Sequence, residues 1–76
     1  MAIFINKGVI NVINLKIERV RNNYTREHVA KICETTASTI GRWETGVVNP
    51  PIQTLIKLAD LFNVSIDYLV GRKDNE

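Results

Sequence analysis

Three times along the chain a hydroxyl residue stands just ahead of a short segment with helical apolar spacing. Thr25 precedes "REHVAKIC", Thr36 precedes "ASTIGRW" and Ser65 precedes "IDYLV". A hydroxyl at such a place accepts a hydrogen bond from the free N–H groups of a first helical turn, so each one marks a helix start. Gly46 and Gly71 lie just past two of these segments, where a glycine adopts the left-handed conformation that ends a helix. Starts and stops this closely spaced exclude long helices. The chain must bury its apolar surface by packing several two- or three-turn helices on one another. With 76 residues it makes one domain, near the lower end of what folds without covalent staples. A single cysteine rules out an internal disulfide, and lone Cys33 and His28 cannot assemble a metal site.

The apolar spacing locates the helices. "LKIERVRNN" puts Ile17 and Val20 on one face, with charges elsewhere. Val29, Ile32 and Cys33 form the stripe of the next segment, and Ile40 and Trp43 share a side of the one after it. "VVNPP" is a connector, because each proline disfavours helix in the residue before it. Pro51 then suits the first turn of "IQTLIKLADLF", whose Leu55, Leu58, Ala59 and Phe62 point inward. The predicted fold is all-α, a compact five-helix bundle over residues 15–71, ending in a solvated tail, 72–76. Residues 1–14, "MAIFINKGVINVIN", are rich in Ile and Val and broken at Asn6-Lys7-Gly8, which reads as a short strand or hairpin-like extension. Two strands alone are marginal in water, so this extension would need the body or a second subunit to order it. The plainer reading is a floppy leader or residues ahead of the natural start.

Composition narrows function mainly by exclusion. The apolar fraction of 45% fits a globular protein, and no run approaches a bilayer-spanning length. No basic region followed by a long apolar core opens the chain, so no secretory signal is expected and a cytoplasmic location is the default. A net charge of +2 is compatible with a polyanion but does not imply one. With no carboxylate pair on one face, no phosphate loop and no triad, an enzyme is not expected, nor is a cofactor.

The stretch "CETTASTIGRWETG" poses the functional question. At 100° per residue Ser38 and Arg42 share one face, Thr39 lies on the flank, and Ile40 and Trp43 point the other way. Two short helices joined tightly, the second beginning Thr-Thr-Ala-Ser, have helix-turn-helix geometry. A small polar face ending in arginine fits a DNA major groove. Arg42 can donate two bonds to a guanine edge, while the hydroxyls are permissive readers. Both helix N-termini can receive backbone phosphates, and Arg26 adds charge at one of them. The other residues read as structural. Cys33 is a small core hydrophobe, His28 is solvated, and Glu44 pairs with Arg19 or Arg21. Tyr68 and Leu69 are core or half of a dimer contact, and Lys7, Lys57, Arg72 and Lys73 are solvated charges.

From Leu15 to Gly71 the chain resembles the Cro/lambda-repressor-like helix-turn-helix family of bacterial and phage regulators. "STIGRWETG", with "NPPIQTLIKLADLFNVSIDYLVG" at the right spacing behind it, carries the resemblance. It implies a sequence-specific binder of double-stranded DNA, acting as a homodimer on a two-fold symmetric operator. Carried over, the base-reading residues are Ala37, Ser38, Thr39 and Arg42, and Arg26, Thr36 and Asn49 approach phosphates. Repression by occlusion is expected, and Ile3, Ile5, Tyr68 and Leu69 are candidate dimer contacts. The alternative is a protein-interaction module, such as the antitoxin of a toxin–antitoxin pair, that meets a protein partner through residues 1–14. Three departures from the family pattern stand out. Glu34 occupies the usual glycine of the inter-helix turn, Arg26 replaces a common glutamine, and Gly41 sits inside the recognition helix. An interior glycine costs about 1 kcal/mol relative to alanine.

Overall fold

The computed structural model describes residues 12–71, and the elements in it are helices only. The expected hairpin, with Ile3, Ile5 and Lys7, and the tail with Arg72 and Lys73 lie outside the described residues. In chain order the helices are α1 (Leu15–Arg21), α2 (Arg26–Cys33), α3 (Ala37–Thr45), α4 (Ile52–Phe62) and α5 (Ile66–Leu69).

The hydroxyl caps form as the sequence predicts. Thr25 Oγ1 accepts from His28 N, Thr36 Oγ1 from Thr39 N and Ser65 Oγ from Tyr68 N, at 3.0, 3.2 and 3.0 Å. The stops share one geometry. After α1, α2, α3 and α4 the chain enters the left-handed region at Asn23, Glu34, Gly46 and Asn63, with φ of 62°, 59°, 82° and 57°. At each, the next residue's N–H reaches back to a carbonyl of the last turn: Tyr24 to Arg19, Thr35 to Ala30, Val47 to Arg42 and Val64 to Ala59, each at 2.9 Å. These bonds satisfy carbonyls that a helix end leaves without partners. Gly71 follows α5 with φ 75°, so among the described residues two of the five left-handed stops use glycine.

The core gathers one side of every helix: Leu15 from α1, Val29 and Ala30 from α2, Ile40 and Trp43 from α3, Leu69 from α5, and the whole predicted stripe of α4. Burying a side chain such as Leu55 or Leu58 stabilises the fold by roughly 2 kcal/mol. Val12, expected in the extension, is fully buried with this group. Asn14 fastens the same segment to α5, its N–H donating to Leu69 O at 3.1 Å and its side-chain amide to Tyr68 O at 2.5 Å. The folded body therefore includes Val12–Asn14.

α1 is the element whose facing the sequence misleads. Ile17 and Val20 are 49% and 55% exposed, and the inward positions are Leu15 and Glu18. A carboxylate takes the inward place because it has partners there. Tyr68 Oη donates to Glu18 Oε2 at 2.8 Å, and Arg21 Nη1 lies 3.3 Å from the same oxygen. On α2, Ile32 and Cys33 are only half-buried, and Ala30 joins Val29 in the core instead.

Candidate nucleic-acid interface

α2 and α3 are joined by a tight turn of Glu34, Thr35 and Thr36. Glu34 adopts the left-handed conformation, φ 59° and ψ 47°, so the turn keeps the shape a glycine would give it. Thr36 is extended and caps α3, and its hydroxyl also lies 3.0 Å from that of Thr39. α3 packs against α2 and α1 through Ile40 and Trp43. That packing turns Ser38, Arg42 and Thr45 outward, with Gly41 half-buried between them. These four positions follow the i, i+3, i+4, i+7 spacing of a single helical face.

The predicted site residues fall into three groups. Ser38 and Arg42 are exposed together, and Arg42 has no ion pair among the described residues. Ala37 and Thr39 are half-buried at the start of the same helix, with the Thr39 hydroxyl engaged by its cap. Arg26, Thr36 and Asn49 are exposed at the start of α2, before α3 and in the α3–α4 connector respectively. The candidate dimer contacts fare differently. Leu69 has no exposed surface, and Tyr68 is half-buried with its hydroxyl committed to Glu18. Leu69 is a core residue, packed with the buried side chains of the other four helices.

Glu44 fixes α3 against its neighbours. Its side chain is 1% exposed and receives Arg19 Nε at 2.6 Å and Arg26 Nε at 3.1 Å. Arg19 also donates from Nη1 to Tyr24 O at 3.0 Å, tying the α1–α2 turn into the cluster. Arg19 was one of the two expected partners. Arg21 instead pairs with Glu18, and Arg26 takes the second place at Glu44. Arg26 was missed as a partner because α2 and α3 cross here, and only the crossing brings its side chain to Glu44. On the far side of α2, the Tyr24 and His28 rings lie 4.7 Å apart, so His28 is exposed but rests on an aromatic ring. Burial pushes the Cys33 thiol up, with Lys57 nearby working the other way. The Glu18 carboxylate that receives its proton, together with burial, pushes the Tyr68 phenol up.

Residues 15–69 match the helix-turn-helix family. The chain is 33% identical over 60 residues to the HTH-type transcriptional regulator ImmR of Bacillus subtilis, a match covering 79% of this chain and 47% of ImmR. It is 31% identical over 64 residues to the HTH-type transcriptional regulator AnsR of the same organism, covering 84% of this chain and 55% of AnsR. It thus spans about half the length of these relatives. The crystal structure of a transcriptional regulator from Listeria innocua superposes with a TM-score of 0.77 at 28% identity, over 86% of this chain and 61% of that one. A hypothetical transcription factor from Neisseria, NHTF, shares the fold at a TM-score of 0.67 and 18% identity, over 92% and 85% of the two chains. The paired helices, the capped turn and these matches together place the chain in the Cro/lambda-repressor-like helix-turn-helix family of transcriptional regulators.

Proposed function

We propose that this chain binds duplex DNA through α3 and represses transcription by occupying a two-fold symmetric operator as a homodimer. One observation carries the reading: α3 buries Ile40 and Trp43 and leaves Ser38 and Arg42 exposed on its opposite face. Small side chains on that face let the helix enter the groove, and Arg42 supplies the bidentate donor that best distinguishes guanine. Ser38 and Thr39 read as permissive hydroxyls, and Ala37 offers a methyl to thymine. Arg26, Thr36 and Asn49 set register on phosphates. The relatives named as transcriptional regulators support the assignment.

Leu69 lies inside the core and so offers a second copy no surface. Exposed apolar side chains among the described residues include Val47 and Val48 in the connector after α3 and Ile52 and Ile56 on α4. In this reading a second copy covers these four, and the half-sites it needs lie about one helical turn apart.

The test is Arg42→Ala on a duplex selected by the wild-type chain. The variant keeps the wild-type thermal midpoint, because Arg42 makes no ion pair among the described residues. It loses roughly 1–3 kcal/mol of binding, about fivefold to a hundredfold or more in affinity. Unchanged affinity would refute base reading by this face.

A further inference from the structure

Gly41 and Arg26, two departures from the family pattern, meet in space. A Cβ built on Gly41 would lie 3.6 Å from both Cζ and Nη1 of Arg26 and 3.8 Å from its Nε. The guanidinium of α2 thus lies over the place on α3 where a side chain at position 41 would project. A methyl group fits there in ordinary contact, and side-chain atoms beyond it would have to share the space with the guanidinium. Glu44, one turn along α3, holds the guanidinium by its Nε at 3.1 Å. The two Nη groups make no hydrogen bond among the described residues, and the Arg26 side chain is 43% exposed. Gly41 itself lies on the α3 face shared by Ser38, Arg42 and Thr45.

We infer that Gly41 is a positioning residue. Its missing side chain lets Arg26, anchored by Glu44, lie across the recognition helix and present its Nη groups to a DNA phosphate beside Arg42. This rests on the duplex-binding reading above and gives it a specific part: the basic edge of the α3 face is supplied partly by α2. A helical glycine here is therefore not idle, and its exchange for a larger residue acts through Arg26. The chemistry recognised is a backbone phosphate, so the contact contributes affinity and salt dependence without sequence preference.

A double-mutant cycle tests this on one mixed-sequence duplex, with each protein's thermal midpoint measured alongside. Arg26→Ala should weaken binding and reduce the slope of log affinity against log salt by about 0.9 per bound protomer, the signature of one lost phosphate contact. Gly41→Leu should do the same while Arg26 is present. In the Arg26→Ala background, Gly41→Leu should leave the salt slope where Arg26→Ala put it, because its target is gone, although the leucine itself enlarges the face that enters the groove. Gly41→Ala should leave both affinity and slope as in the wild type. A slope that falls further on Gly41→Leu when Arg26 is already alanine, or that does not fall while Arg26 is present, would overturn the pairing. An unchanged salt slope in Arg26→Ala would overturn the phosphate contact. A wild-type chain that binds no duplex would overturn the duplex-binding reading itself, an outcome distinct from either.

Discussion

Glu34 holds a conformation that costs a residue with a Cβ about 1–2 kcal/mol, at φ 59° and ψ 47°. Glycine removes that cost but makes the unfolded chain more flexible, which returns part of it. Glu34→Gly should therefore stabilise the protein by about 0.5–1 kcal/mol and raise its thermal midpoint by several degrees. A lower midpoint would mean that the glutamate makes a compensating contact. Cys33 should alkylate slowly at neutral pH, since burial raises its thiol, and react fast once denaturant exposes it. Equal rates in both states would place the thiol in water. Tyr68 gives a pH dependence of defined sign. Its phenol is raised above the ordinary value of 10.0. The bond to Glu18 therefore contributes fully below that value and is lost as pH rises through the higher folded value. Denaturation across alkaline pH should show a steeper loss of stability in the wild type than in Tyr68→Phe; parallel curves would contradict the pairing.

At the scale of elements, α3 is a helix with one structural end and one chemical face. Its N-cap, Thr36, adjoins the reading surface through the Thr39 hydroxyl. Thr36→Ala should cost about 1 kcal/mol of stability, because the first-turn N–H of Thr39 loses its acceptor. An unchanged midpoint would show that solvent replaces the cap without cost. The segments whose bounds and facing were most legible were α3, where the Thr36 cap and the apolar positions agree, and α4, where Pro51 and the apolar stripe agree. Leu55, Leu58, Ala59 and Phe62 all point inward as their spacing predicts. α1 was not legible, for a physical reason. Its buried position carries a carboxylate that is tolerable there because Tyr68, 50 positions along the chain, donates to it. Hydrophobic spacing therefore chose the exposed Ile17 and Val20. The stops were half legible. Gly46 and Gly71 announce themselves, whereas Asn23, Glu34 and Asn63 adopt the same conformation with side chains that do not demand it.

At the scale of the molecule, the Glu44 cluster joins three helices through one carboxylate. Glu44→Ala should destabilise the fold by roughly 3 kcal/mol, because it leaves Arg19, a largely buried cation, without its acceptor. A change near zero would mean that the arginines simply rehydrate. The Ser38/Arg42 face could be read from the sequence because a helix fixes the angle between neighbours four apart. The meeting of Arg26 with Gly41 could not, because it depends on how α2 crosses α3. Selection of binders from a random pool of duplex DNA at near-physiological salt tests the central claim most directly. The account predicts a two-fold symmetric motif with half-sites about one helical turn apart. Binding with no motif, or no binding at all, would contradict it.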